Sequence, residues 1–160
     1  MDTTLQQPRT GLDEVGHPYF SFRFLTGLIE LAEALAHAGR TAEGLALVEA
    51  AIEQSEEGWL TPELLRLKGD LLLSQSPPEV AETAGDLFRE ALDLARRQEA
   101  LSWQLRSATS LARLLRDHGR PAEAIACLQP VYDCFTEGFG AADLIAAKQL
   151  LDALGDAGRG

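Results

Sequence analysis

Cysteines, aromatic side chains and long apolar runs are all scarce in this chain, and these shortages exclude several classes of protein. The 160 residues include two cysteines, Cys127 and Cys134, on one predicted helix. Their spacing puts them about 10 Å apart along the helix axis, beyond the reach of a disulfide. No apolar run approaches the roughly 20 residues of a membrane span, and no secretory signal is recognisable. The sequence therefore predicts a cytoplasmic protein that does not cross a membrane.

Basic residues are also in short supply. The chain has 14 Lys and Arg against 25 Asp and Glu, which gives a net charge of −11. Such a chain repels nucleic acids and anionic membranes, so we expect neither as a partner. Nine of the 14 bases lie between Arg66 and Arg120, whereas residues 41–65 hold six acids and no base. We therefore expect a local basic strip inside an acidic protein.

Signatures of catalysis and of cofactor binding are missing as well. The sequence has no G-x-x-x-x-G-K-[ST] phosphate loop and no Cys/His spacing typical of zinc. His37 and His118 lie in the last turns of predicted helices, where a cation is favoured, so we assign both to helix capping. Nothing in the sequence supplies a base that would activate either cysteine. We expect a protein that is not an enzyme and that holds no cofactor and no metal.

What the sequence does contain is a repeat. Residues 31–44, LAEALAHAGRTAEG, return 80 residues later as LARLLRDHGRPAEA, with seven identical positions. The repeated stretch spans the end of an apolar helix, a glycine stop and the start of the next helix, which is typical of helical-hairpin repeats. Thr41 and Thr61 are the expected N-caps of the second and third helices. No run of alternating β-branched residues predicts a strand.

Apolar periodicity predicts seven helices after a flexible lead-in at 1–18. A repeat domain is expected over 19–156, with hairpins at about 19–58, 61–98 and 101–136 and a closing helix at 142–154. The first helix is expected from about Tyr19 to Ala38, with Leu31 in its apolar stripe.

Small residues recur where the two helices of a hairpin must approach closely. In each hairpin the first helix carries one small residue, and the second carries a small–x3–large–x2–small triplet. The single residues are Ala32, Gly69 and Ala112, and the triplets are Gly44–Val48–Ala51, Ala84–Phe88–Ala91 and Ala124–Leu128–Val131, the last of which departs slightly from the pattern at Val131. The sequence therefore predicts an all-α fold, a tetratricopeptide-like right-handed superhelix of three helical hairpins with a C-terminal capping helix. A generic bundle of six or seven helices is the alternative.

Five segments carry a family likeness: PYF (18–20), AGRTAEGLAL (38–47), ELLRLKGDLLL (63–73), LFREALDLARRQEALSWQLRSATSLARLLRDHGR (87–120) and PVYDCFTEGFGAADLIAAKQLLDAL (130–154). They resemble the C-terminal tetratricopeptide region of large bacterial proteins in which a class III adenylate or guanylate cyclase domain, or a DNA-binding domain, precedes an ATPase module. The resemblance implies a regulatory region that senses a ligand or a partner. Whether the chain is a terminal fragment or a free-standing repeat protein stays open.

The candidate binding residues lie on the first helices of the predicted hairpins. Arg106, Arg113 and Arg116 share one face of the fifth helix, at spacings of seven and three residues. In tetratricopeptide geometry this face lines a concave groove, which we expect to bind a protein or an extended or helical peptide whose acidic portion lies near Arg113 and Arg116. The candidate groove residues are Glu33, Arg66, Asp70, Arg106, Arg113 and Arg116.

Other interpretations stay open at this point. The arginines can instead form salt bridges on a solvated helix face, with Asp86, Glu90 or Asp117. A small molecule can replace the peptide, which would make the chain the sensing domain of a cyclase-type or transcriptional-activator protein.

Aromatic side chains near the helix ends raise the question of self-association. A homodimer is allowed if the N-terminal end exposes Phe20, Phe22 and Phe24. Three further aromatics are expected to plug the ends of hairpins, with an exposed self-association patch as the alternative: Trp59, Phe135 and Phe139.

Overall fold

The computed structural model describes residues 26–55, 58–75 and 79–157 of the chain. Every regular element within these ranges is an α-helix, so the predicted all-α class is confirmed there. Helical residues 26–37 form α1, and six helices follow: α2 (Thr41–Gln54), α3 (Thr61–Ser74), α4 (Val80–Arg97), α5 (Leu101–Asp117), α6 (Pro121–Tyr132) and α7 (Ala142–Ala157). The predicted lead-in, the helix start at Tyr19, and Phe20, Phe22 and Phe24 lie outside the described residues.

The repeated glycine stop folds in the same way twice. Gly39 and Gly119 have φ angles of 77° and 70°. In each case the N–H of the following residue donates to the carbonyl five residues back, at 2.8 Å and 2.9 Å. A left-handed residue with this bond closes a helix, and glycine adopts the conformation without a steric penalty. The sequence echo therefore marks the matching ends of α1 and α5.

The two expected threonine N-caps are wrong. Thr41 and Thr61 are the first helical residues, and the cap positions are Arg40 and Leu60, neither of which makes a side-chain cap hydrogen bond. Thr61 is buried, and its hydroxyl lies 3.3 Å from that of Ser55. The hydroxyl of Thr61 thus links the end of α2 to the start of α3.

The small residues predicted at the helix crossings are all buried. A Cβ added at Gly69 would lie 2.5 Å from Cε1 of Phe88, and one at Gly44 would lie 2.8 Å from the carbonyl oxygen of Ala32. Both distances are well inside the roughly 3.5 Å at which non-bonded carbon atoms pack. Glycine therefore sets the approach of α1 to α2 and of α3 to α4, as the spacing predicted.

Contacts between the helices follow the order of the chain. Each helix from α2 to α6 lies with its backbone against the next one, and α5 also lies against α3 and α7; no other pair within α2–α7 brings Cα atoms within 8 Å. The odd-numbered helices therefore lie side by side, whereas the backbones of the even-numbered ones stay apart, and Ile52 of α2 packs on a small core of Leu65, Ala91 and Leu94 from α3 and α4. We call the surface formed by α1, α3, α5 and α7 the odd-helix face. A larger core fills the space from α4 to α7, and a smaller one joins α1, α2 and α3.

One residue of the predicted apolar stripe of α1, Leu31, is exposed rather than buried. Leu31 is 51% exposed, whereas Leu111, its counterpart in the repeat, is 5% exposed. Leu111 belongs to a core that includes Phe88 and Leu92 of the preceding helix α4. Within the described ranges no helix packs against α1 as α4 packs against α5, so about half of the Leu31 surface is exposed to solvent.

Candidate functional site

Glu63, in the first turn of α3, is the centre of a charge cluster. Its side chain is 1% exposed, and Arg66 donates to both of its oxygens, from Nε to Oε2 at 2.8 Å and from Nη2 to Oε1 at 2.7 Å. Arg106 of α5 places Nη1 2.7 Å from the same Oε1. A carboxylate buried this deeply is tolerated when it is paired and hydrogen-bonded. The cluster therefore ties α3 to α5.

The cluster extends to the helices on either side. Arg66 also pairs with Asp70, and its Nη2 lies 3.9 Å from Oε1 of Glu33 on α1. Arg106 Nε lies 3.8 Å from Oδ2 of Asp143 on α7. One row of charges thus crosses all four odd-numbered helices. The row reaches solvent at its acids, because Glu33, Asp70 and Asp143 remain 41%, 40% and 58% exposed.

The environment of the cluster changes how two of its members titrate. Burial by itself lowers the pKa of Arg66, but the hydrogen bonds and attraction of Glu63, with Asp70 and Glu33, outweigh burial and raise that pKa. For Asp70, burial raises the pKa and the like charge of Glu63 adds to the effect, while Arg66 opposes it. Arg66 is therefore a permanent cation, and the ionised form of Asp70 is disfavoured relative to water.

Four of the six predicted groove residues meet in this cluster: Glu33, Arg66, Asp70 and Arg106. Glu63 and Asp143 were not among the six candidate residues, although periodicity places Glu63 on the same face of α3 as Arg66 and Asp70. The i,i+3 spacing of Glu63 and Arg66 was a visible signal for an ion pair. No local pattern, however, points from Glu63 to Arg106 or from Arg106 to Asp143, because these partners lie on different helices.

The other two predicted groove residues are placed differently. Arg113 is exposed, forms no ion pair with any described residue, and lines a cavity of about 90 Å³. Arg116 instead pairs with the adjacent Asp117, with Nη2 2.8 Å from Oδ1. Of the exposed arginines on α5, Arg113 is therefore the one without an ion pair to a described residue, although its charge still favours the ionised form of Asp70. The cavity is lined by Arg66, Arg106, Thr109, Ser110, Arg113, Asp143 and Ala146.

Two tryptophans adjoin the cluster. Trp59, in the turn before α3, is 56% exposed, and its ring centroid lies 5.4 Å from that of Trp103 on α5, at 63° between the ring planes. The guanidinium carbon of Arg106 lies 5.8 Å from the centroid of Trp103. The expected plugging of a hairpin end is therefore wrong for Trp59, and also for Phe139, which is 49% exposed. Phe135 packs against the larger core.

A larger cavity of about 600 Å³ lies away from the odd-helix face, where α4, the end of α5 and the start of α6 meet. Both arginines that line it already have partners: Arg89 donates to Asp86 at 2.9 Å, and Arg120 forms a bidentate pair with Glu123. His118 also lines it, with Nδ1 2.8 Å from a backbone carbonyl in the last turn of α5, the capping position predicted. No sequence pattern indicated this cavity.

Compared with family models, with curated proteins and with solved structures, the chain matches none. Within the described ranges, no three His, Cys, Asp or Glu side chains are placed to hold a metal ion. None of the helices in those ranges is long and apolar enough to cross a bilayer.

Proposed function

We propose that the chain is a non-catalytic protein-interaction module with a tetratricopeptide-like right-handed superhelix, and that its odd-helix face is a groove that binds a peptide. The observation that carries the proposal is the contact pattern, in which α3, α5 and α7 lie side by side while the backbones of the even-numbered helices stay apart. Stacked helical hairpins produce this pattern, because each hairpin packs on its neighbours alone. A closed bundle would instead bring early and late helices together.

The buried small residues support the same architecture. Gly69 lies directly beneath the ring of Phe88, and Gly44 lies against the backbone of Ala32. Each is a small residue at the crossing of two helices in one hairpin, where the repeat pattern requires it. Together with the likeness to repeat regions of bacterial cyclase-type and transcriptional regulators, this favours the regulatory region of a bacterial signalling protein.

The ligand we propose is a peptide with an acidic residue, recognised through Arg113. Buried Arg66 and half-buried Arg106 are both engaged by Glu63 and serve the fold, so they offer little to a ligand. Arg113 is exposed beside a cavity of about 90 Å³, which is large enough for a single carboxylate. Arginine binds carboxylates through two parallel hydrogen bonds, which makes it well suited to this role.

The experiment is a selection from a phage-displayed peptide library on the full chain, followed by titration of the enriched peptide as a synthetic compound. The variant R113E/R116E should lose binding at least 10-fold, since a like charge replaces an attractive one. The matched control is R89E, which reverses a similarly exposed arginine on α4, away from the odd-helix face. Equal affinity for the wild type and R113E/R116E, with folding retained, would contradict the groove.

The cavity of about 600 Å³ favours a second candidate function, the sensing of a small molecule. Its volume lies within the range of small-molecule sites, and it combines apolar side chains such as Leu114 with charged ones. Ligands that bind a folded protein raise its unfolding temperature. A thermal-shift screen of anionic metabolites, repeated on a variant with Gly85→Trp in the cavity wall, tests this candidate.

A further inference from the structure

The structure assigns a second contact point to the groove. We infer that Trp59, supported by Trp103, binds an apolar side chain of the same peptide whose acidic residue reaches Arg113. This inference rests on the proposed function and adds the spacing and chemistry of the ligand to it.

The first argument is the exposure of Trp59. Trp59 is 56% exposed, which is high for so large a residue. Tryptophan is the residue most enriched among those that dominate binding energy at interfaces. The ring is held in place by its edge-to-face contact with Trp103, so a ligand would meet a surface that is already ordered.

The second argument is continuity with the charge cluster. Arg106 lies 5.8 Å from the Trp103 ring and lines the same small cavity as Arg113. The aromatic pair, the cluster and Arg113 therefore form one connected strip along α5. Because Arg106 is engaged by Glu63, the end of the strip near Trp59 presents ring surface rather than an unneutralised cation.

The third argument is distance. Trp103 and Arg113 are ten residues apart on α5, which corresponds to about 15 Å along the helix axis. An extended peptide advances about 3.3 Å per residue. The ligand should therefore carry an apolar residue and an acidic residue about four to five positions apart. The partner is a peptide with this pattern, which pairs an aromatic or aliphatic side chain with Asp or Glu.

The test uses the enriched synthetic peptide and the two tryptophans as reporters. The indole N–H resonances of Trp59 and Trp103 are followed by NMR during titration into the full chain. We expect the Trp59 signal to shift, W59A to lose affinity about 10-fold or more, and W59F to lose less because a ring remains. Replacing the apolar residue of the peptide by Ala should weaken binding to the wild type but not to W59A.

The outcomes separate this inference from the proposed function. If R113E weakens binding while W59A and the Trp59 resonance are unaffected, the groove stands and the second contact point is overturned. If neither R113E nor W59A alters binding, or if the selection enriches no peptide, both proposals fail. Peptides in which the apolar and the acidic residue are two or eight positions apart should bind no better than a peptide that lacks the apolar residue.

Discussion

Glu63 and Arg106 are bound to each other at 2.7 Å across two helices that belong to different predicted hairpins. The same Glu63 oxygen accepts from Arg66, so one buried carboxylate holds two guanidinium groups. We expect Glu63→Gln to lower the free energy of unfolding by about 3 kcal/mol, because buried Arg66 loses its bidentate partner and keeps the more exposed acids Asp70 and Glu33. Denaturant unfolding followed by circular dichroism measures the change.

The matched control for that substitution is Glu43→Gln. Glu43 forms the same kind of bidentate pair with Arg40, at 2.7 Å and 2.6 Å, but on the surface. Exposed pairs add little to stability, so Glu43→Gln should leave the unfolding midpoint nearly unchanged. Equal effects at the two sites would show that burial of Glu63 is not what makes its pair matter.

Gly69 sets the distance between α3 and α4. Because an added methyl group would lie 2.5 Å from the Phe88 ring, Gly69→Ala should destabilise the protein by about 1–3 kcal/mol in spite of its better helix propensity. A double-mutant cycle with Phe88→Leu measures the coupling, and Gly69→Ala should be better tolerated in that background. At Gly85, where the nearest atoms are the side-chain ends of Arg89 and Leu114, both at 3.3 Å, alanine should cost much less than at Gly69.

The end of α4 uses a glutamate where α1 and α5 use glycine. Glu99 has φ of 55°, and the N–H of Ala100 donates to the carbonyl of Ala95 at 2.9 Å, the same closing bond as after Gly119. Side chains disfavour this conformation. Glu99→Gly should therefore raise the free energy of unfolding by up to about 1 kcal/mol, and Gly119→Ala should lower it by a similar amount. Thermal melts of the two variants should move in opposite directions.

The raised pKa of Asp70 gives a prediction with a definite sign. Burial is its main cause, so the folded state binds the proton more tightly than the unfolded chain does. Stability then rises as pH falls through the raised pKa toward the unfolded value near 4. Asp70→Asn should unfold at an equal or higher temperature at pH 7, and its advantage should shrink toward pH 4. A constant difference across this range would contradict the assignment.

The two free cysteines should differ in reactivity. Burial raises the pKa of Cys127 to about 11, so roughly one thiol in a thousand is ionised at pH 8. Cys134 is exposed on the surface. Iodoacetamide at pH 8 should label Cys134 first, and Cys127 should react after denaturation, as peptide mapping by mass spectrometry would show. Rapid labelling of Cys127 in the native Cys134→Ser variant would contradict its burial.

Much of the fold was readable from local pattern. The glycine stops after α1 and α5 and the small residues at the crossings depend on neighbours within one or two turns, and each lies where the sequence predicted. Leu31 was misjudged for the opposite reason. Its stripe is local, but its burial depends on whether another helix lies beyond α1.

The candidate site divides along the same line. Periodicity brought Glu33, Arg66, Asp70 and Arg106 onto corresponding helix faces, so their grouping was predictable from the sequence. Periodicity could not show that Arg66 and Arg106 both pair with the buried carboxylate of Glu63. Nor could it show that Arg116 pairs with Asp117 while Arg113 forms no such pair. Those choices depend on the distances between helices.

By itself, the amino-acid sequence determined that the chain is helical, where α1 and α5 end and which residues allow close crossings, because helix propensity, glycine conformation and apolar spacing act within a few residues. The tertiary structure alone decided which charges neutralise each other, which arginine still faces the groove, and that Trp59 lies exposed against Trp103. Electrostatic and ring contacts act over a few ångströms between segments that are distant in the chain. Their partners are therefore set by how the helices stack.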